Sequence, residues 1–354
     1  MTGAGLDAVR DGLWHAVADG DERTALALVR QARRSGVGVE TLLVDVVADI
    51  QRRIGAAWAA DRFSVAQEHA ATAINDRVVT LLTTPDYGTK PTLERGRVVL
   101  ACAEGEWHAL PARLVTEVLR LRGWRVDFLG AQTPARHLVK HLHRSAADAV
   151  LLSSSLPTRL PAAHAAVTAC HAVGTPVLAG GAAFGPDGRY ARLLGADAWA
   201  PGAREAADVL AAGLERPVHA ALRHPVDDLP HLADQEYTLV TRARPRLVKQ
   251  TFADLSDRLP AVRRYDDEQR ERTAENLAHT VDFLAAALYV DDTDLFTGFL
   301  TWTTEILTAR GVSGHSLLPA LASLGEQLHD FPRARRLLDE GVLALGDPSG
   351  LPNC

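Results

Sequence analysis

The chain has 354 residues, of which 47% are hydrophobic and 23% charged, and its net charge is -6. That length allows two or three domains with sizeable cores. The acidic balance argues against a nucleic-acid-binding surface, which would carry a basic patch; the run Arg30-Gln31-Ala32-Arg33-Arg34 falls in a helical pattern and reads as a solvated face. The three cysteines, Cys102, Cys170 and Cys354, are far apart and form no CxxC pair. Neither a zinc ribbon nor a disulfide framework is suggested, and the usage fits a reducing cytoplasm. Met1 to Arg10 contains an Asp and no apolar stretch, so no signal peptide is expected. No apolar run reaches the ~18 residues of a membrane span. A cytoplasmic protein that engages neither membrane nor nucleic acid is expected.

Residues 1–85 read as helices only. Asp21 can cap the run Glu22 to Ser35, which Gly36 ends. Thr41 to Ala60 carries Leu42, Val46, Ile50, Ile54 and Trp58 at helical spacing. Ser64-Val65-Ala66-Gln67 is a capping box, so a helix starts near Val65 and runs to about Leu82. Helices of this number and length make a four-helix bundle. Thr83 to Gly96, rich in Pro, Gly and Thr, reads as a linker.

Residues 97–215 alternate. Apolar strands are expected at 97–103, 124–129, 149–153, 176–179 and 196–200. Helices are expected at 110–122, 135–145, 161–173, 189–194 and 204–214. Such alternation means a Rossmann-like parallel sheet covered on both faces, with ligands at the carboxyl ends of its strands. A Pro/His/Asp-rich connector follows. Residues 237–350 return to helices at 239–259, 268–289, 293–310, 316–329 and 333–345. The fold class is therefore multi-domain, α and α/β.

The most informative run is Glu104-Gly105-Glu106-Trp107-His108-Ala109-Leu110-Pro111, between the first strand of the sheet and the following helix. A His at a strand's carboxyl end can reach a ligand, and neutral imidazole is a good transition-metal ligand. Glu106 is placed to accept from the other ring nitrogen and fix the tautomer. Ser153-Ser154-Ser155-Leu156 ends the third strand of the sheet and Gly180-Gly181 the fourth. Hydroxyls and glycines at successive strand ends make a slot where a ligand tail can approach the backbone. His137, His141 and His143 share one helix and read as surface residues.

Together these residues resemble the B12-binding domain, whose pattern is Asp-x-His-x-x-Gly, then Ser-x-Leu, then Gly-Gly. Here it stands as Glu106-x-His108-x-x-Pro111, Ser154-x-Leu156 and Gly180-Gly181. The resemblance implies His108 as the lower ligand of the cobalamin cobalt, in place of the cofactor's own base. It implies Glu106 as the partner of His108, Trp107 beside them, and Ser154, Leu156, Gly180 and Gly181 along the displaced nucleotide tail. Glu in place of Asp keeps the acceptor; Pro111 in place of Gly removes backbone freedom after the His.

Trp58, then nine residues, then Glu68-His69 resembles the light-sensing module of CarH-type B12 photoreceptors, where a four-helix bundle caps the cofactor's upper face. That implies Trp58 against the adenosyl group of adenosylcobalamin, Glu68 accepting from its ribose, and His69 lining the same cavity. The residue after this Trp is a His in those regulators and Ala59 here. A B12 module followed by an all-α domain resembles the photocobilins, in which the last domain is globin-like and binds a bilin. That implies non-covalent biliverdin. Arg263, Arg264 and Arg310 are candidates for its propionates, His279 and Asp282 for its pyrroles, and Tyr265, Phe283, Tyr289 and Trp302 for the cleft. On this reading the chain is a photoreceptor rather than an enzyme, acting through a homo-oligomer or a separate effector. The competing expectation is a corrinoid protein that carries methyl groups for a methyltransferase system.

Overall fold

The computed structural model describes residues 3–84, 95–215, 229, 232 and 234–346. Most of the linker and of the connector, and Cys354, lie outside the described residues. The chain divides into two compact units, Met1–His224 and Pro225–Cys354.

The first unit opens with helices α1 (Gly3–Ala18) and α2 (Glu22–Arg34). Asp21 caps α2, its side chain accepting from the Thr24 amide, and Gly36 leaves the helix at a φ of 88°. Helix α3 (Val39–Thr41) runs through a π-helical turn (Leu42–Val47) into α4 (Ala48–Ala59). The sequence pattern reads this stretch as one α-helix from Thr41; the structure starts it two residues earlier and widens its first turns. Helix α5 (Val65–Thr83) begins with both reciprocal bonds of the Ser64/Gln67 capping box. Leu13, Leu42, Leu43, Ile50 and Ile54 are fully buried among these helices.

Five parallel strands follow: β1 (Arg97–Cys102), β2 (Arg125–Gly130), β3 (Ala149–Ser153), β4 (Val177–Gly180) and β5 (Ala198–Ala200). Their order is β2-β1-β3-β4-β5. The order of connection reverses between β1 and β3, and the loops leaving these two strands are joined there by the amides of Ser155 and Leu156 donating to Glu106. Helices α6 (Ala109–Leu121) and α10 (Ala203–Ala212) pack together on one face, and α7 (Ala135–Ser145) and α8 (Leu160–Ala172) on the other. The short α9 (Arg189–Leu193) precedes β5. The N-terminal helices share one core with α6, α10 and the sheet residues Val98, Leu100 and Leu151.

Ion pairs tie the helical layer to the sheet. Arg204 forks onto Asp45 at 2.8 and 2.7 Å, Arg122 onto Glu40 at 3.0 and 2.8 Å, and Arg113 onto Asp76 at 2.9 and 3.0 Å. His141 is not the surface residue the sequence suggested: its Nε2 lies 2.7 Å from Asp127 Oδ2, which ties α7 to β2. His137 and His143 are exposed.

The second unit is all-α in its described residues: α11 (Glu236–Arg258), α12 (Asp267–Val290), α13 (Thr293–Ala309), α14 (Leu318–Gln327) and α15 (Pro332–Gly346). Helix α12 packs between α11 and α13, and α15 closes against α13 and α14. Glu236, buried at the start of α11, accepts the backbone amides of Arg333 and Ala334 and so satisfies the first turn of α15.

Candidate functional site

The loop after β1 turns at Gly105, whose φ of 80° favours glycine. A Cβ there would meet the Arg159 guanidinium at 2.9 Å. The turn sends Glu106 inward, where it is 0% exposed. Both oxygens of its carboxylate are engaged. Oε1 accepts the His108 backbone amide at 2.9 Å and faces His108 Nδ1 at 2.5 Å. Oε2 accepts the amides of Ser155 at 2.6 Å and Leu156 at 3.1 Å, with the Ser154 hydroxyl at 3.4 Å.

Burial alone would raise the Glu106 pKa. The donors from the His108 ring and backbone and from Ser155 outweigh it and hold the group at about 2. The His108 pKa is raised, chiefly by its hydrogen bond to Glu106 and against its own burial. A carboxylate facing Nδ1 assigns the proton to that nitrogen and leaves the lone pair on Nε2. The His108 side chain is 55% exposed, so that nitrogen can meet a ligand. Among the described residues no group of three His, Cys, Asp or Glu could hold a metal ion; His108 offers one ligand to a metal that the rest of its own ligand set carries. Pro111 falls in the first turn of α6, where a missing N–H costs no helical hydrogen bond, so the loop keeps its geometry.

Behind this loop lies a cleft of ≈ 420 Å³. The carboxyl ends of β3, β4 and β5 form its floor, α6 and α10 its side, and Val44, Ala48 and Gln51 of the helical layer its rim. That size suits a small-molecule moiety. Gly180 and Gly181 form part of the wall. At Gly181, with φ at 104°, a Cβ would collide with the Ser154 carbonyl. Ser154 and Leu156, expected along a ligand tail, are instead occupied with Glu106, and Ser153 is the hydroxyl that lines the cleft. The sequence named Ser153 only within the run of serines and missed Pro201 and Gly202; their signal was a small or turn-forming residue at the end of an apolar strand.

On the helical side, the charge of Glu68 contributes to the raised His108 pKa, after the Glu106 hydrogen bond and charge. Glu68 Oε1 accepts from Thr72 Oγ1 at 2.9 Å, and His69 Nε2 stands 3.6 Å from Oε2. Trp58 is half-buried in the last turn of α4. Trp107, by contrast, is 73% exposed.

In the second unit, Arg263 donates to the carbonyls of Ser256 and Asp257, and Arg310 to that of Ile306. Asp282 forms a two-pronged ion pair with Arg244 at 2.5 and 2.8 Å. Arg264 and His279 are exposed. Phe283 stacks on Phe299 with centroids 3.9 Å apart, and Tyr289 meets Tyr237 edge-on at 4.8 Å. Three of the five polar candidates are thus engaged by partners within the unit.

Two family models match the chain, each described as a B12 binding domain: one over residues 96–211 and one over residues 9–83. The first unit carries a cobalamin-binding module. Its fold is similar to that of a monomethylamine corrinoid protein of Methanosarcina barkeri, at 21% identity and a TM-score of 0.50, covering 58% of this chain and 97% of that one. Weaker likenesses, which carry no argument here, are to the methanol:cobalamin methyltransferase complex of the same organism (19% identity, TM-score 0.32, 58% of this chain and 79% of that one) and to a cobalamin-binding protein of Desulfitobacterium hafniense (20% identity, TM-score 0.33, 56% and 96%). No curated protein matches the chain.

The residues present fit cobalamin. His108, with its tautomer set by Glu106 and its side chain 55% exposed, would be the residue that holds the cobalt, whose remaining ligands the cofactor would supply. The cleft of ≈ 420 Å³, walled in part by Gly180 and Gly181, has a size that suits part of the cofactor.

Proposed function

We propose that the chain is a light sensor built on adenosylcobalamin, with His108 as the lower cobalt ligand and the N-terminal helices as a four-helix cap over the upper face. The observation that supports this reading is that Glu68, in the first turn of α5, is held through Oε1 by Thr72 and is among the charges that raise the His108 pKa. A carboxylate acceptor there suits the hydroxyls of an adenosyl ribose, and a methyl group has no use for it. When bound, the cofactor supplies a weak cobalt–carbon bond that visible light breaks.

The chain's own residues do the rest. Glu106 keeps the His108 proton on Nδ1, and Ser154, Ser155 and Leu156 keep Glu106 in place. The cleft holds the tail. Trp58 shelters the adenosyl group, and Glu68 and His69 line the cavity. Loss of the adenosyl group leaves a void under Trp58, and the cap repacks over the sheet as a two-state element. Ala59 supplies no second imidazole, and His69 would be the candidate to hold the cobalt from the cap side after illumination. The all-α second unit, which would be globin-like, is read as the site of non-covalent biliverdin, with Arg264 and His279 as its accessible polar groups. The signal passes to a second copy or to a separate effector, in the cytoplasm.

The fold shared with a corrinoid protein supports a second reading, a carrier of methyl groups for a methyltransferase partner. One experiment separates the two. The protein is reconstituted in the dark with adenosylcobalamin and biliverdin, and absorption is recorded before and after green and red light. A cobalamin change under green light with a separate long-wavelength bilin band supports the sensor. A cobalamin spectrum that light leaves unchanged, together with methyl transfer to a thiol acceptor once the protein is loaded with methylcobalamin instead, replaces it with the carrier.

A further inference from the structure

Behind Glu68 runs a chain of polar side chains that joins α4 to α5. Asn75 Nδ2 donates to Gln51 Oε1 at 3.0 Å, Gln51 Nε2 donates to Thr72 Oγ1 at 2.8 Å, and Thr72 Oγ1 donates to Glu68 Oε1 at 2.9 Å. Asn75 is 0% exposed, and its Oδ1 has no hydrogen-bond partner among the described residues. A buried amide with an unmet acceptor, in a helix interior among Ile74, Val78 and Val79, is a cost that a purely structural position would shed by becoming apolar.

The direction of the chain is forced. The Thr72 hydroxyl has one proton, and a carboxylate offers none, so the contact with Glu68 takes that proton. The hydroxyl must then accept from Gln51, which turns the Gln51 amide so that its oxygen faces Asn75. Asn75 must donate, and its own oxygen is left over. Reversing Gln51 would put the Thr72 proton on its oxygen and leave Glu68 Oε1 without a donor, and reversing Asn75 alone would set two amide oxygens against each other. Gln51 also lines the cleft, and both its amide atoms are used, so the network runs from the cleft wall to Glu68. It commits Oε1 and leaves Oε2, 3.6 Å from His69 Nε2, as the oxygen outside the network.

We infer that Thr72 and Gln51, backed by Asn75, are positioning residues that aim Glu68 Oε2 at the ribose hydroxyls of the adenosyl group, and that the module's selection of adenosylcobalamin over methylcobalamin depends on them. The inference rests on the adenosylcobalamin reading above and names the residues through which Glu68 acts.

The test is a pair of equilibrium titrations of the full chain in the dark, with adenosylcobalamin and with methylcobalamin. Thr72→Val keeps the shape and removes the donor; Thr72→Ser restores it. The expected result is that Thr72→Val weakens adenosylcobalamin about tenfold, the loss of one hydrogen bond to a charged group. Methylcobalamin affinity stays within error, and Thr72→Ser behaves as wild type. The methylcobalamin titration is also the control for folding. Full adenosyl preference in Thr72→Val, alongside its loss in Glu68→Gln, would overturn the role of Thr72 and leave the adenosylcobalamin reading standing. Equal weakening of both ligands would likewise overturn it. A wild-type chain with no preference between the ligands overturns the adenosylcobalamin reading and this inference with it.

Discussion

Glu106 and His108 are two residues apart in the chain, and the turn between them folds the imidazole back onto the carboxylate: Nδ1 lies 2.5 Å from Oε1, and the same oxygen accepts the His108 backbone amide at 2.9 Å. One buried oxygen therefore fixes both the loop and the ring. The second oxygen, held by the amides of Ser155 and Leu156, anchors the pair to the end of β3.

Glu106→Gln should lower the His108 pKa, because the hydrogen bond to the carboxylate is the largest cause that raises it. Imidazole NMR titration of the chain without cofactor would show this. The sign for ligation follows. A proton on Nε2 competes with cobalt, so His108-bound cobalamin should be lost as pH falls through the raised pKa, and in Glu106→Gln that loss should move to lower pH. A His108 titration that the substitution leaves in place would contradict the pairing.

Gly181→Ala should damage the site from behind. The residue has a φ of 104°, and a Cβ would collide with the Ser154 carbonyl. A cost of about 2 kcal/mol is expected for forcing this backbone, read from chemical denaturation, with a larger loss of cobalamin binding as the wall moves into the cleft. Unchanged stability and binding would mean that the β3 and β4 ends do not approach as described.

Trp58→Ala should reduce adenosyl preference several-fold, since the ring is the large half-buried side chain in the last turn of α4. Binding of cyanocobalamin, which uses the same lower ligand and tail slot, should change little. Parallel titrations with the two ligands measure this, and equal losses would assign Trp58 to the packing of the cap alone.

The ionic ties between helices and sheet should make stability depend on acid. Asp45 and Glu40 both have lowered pKa values, from their hydrogen bonds to Arg204 and Arg122 respectively, against partial burial. Their contribution is complete above the ordinary values of 3.8 and 4.5 and is lost as pH falls through the lower folded values. The side chains are about a third exposed, so solvent screens the pairs and each is worth ~1 kcal/mol or less. Arg204→Met should flatten the fall in thermal stability below about pH 4.5. A profile identical to wild type would remove these pairs from the account.

Much of this was legible in the chain because its signals are local. The Ser64/Gln67 box needs four consecutive residues, and the alternation of apolar strands with helices needs only spacing. Glu106 and His108 were readable for the same reason. The donors that hold Glu106 were not. Ser155 and Leu156 reach it only because β3 lies beside β1, and that follows from sheet order rather than any short pattern. In the run Ser153-Ser154-Ser155 one residue of register decides which hydroxyl faces the cleft, and three identical residues hide it. The π-helical turn at Leu42–Val47 has the composition of an α-helix; packing sets its width. The Gln51–Thr72–Asn75 network pairs two helices through ordinary surface-like residues, and only Asn75, polar at a core position, betrays it. In the second unit, helical spacing located the helices but said nothing of which side chains share a cleft.

The reading of this module as a sensor and the alternative of a methyl carrier both require the His108 imidazole on cobalt. The most direct test is electron paramagnetic resonance of the full chain reconstituted with one-electron-reduced cobalamin, prepared once with ordinary histidine and once with histidine carrying the heavy nitrogen isotope. The account predicts a nitrogen splitting that changes from triplets to doublets with the label and disappears in His108→Ala. A splitting that ignores the label would mean that the cofactor keeps its own base on the metal, and would contradict the account at its centre.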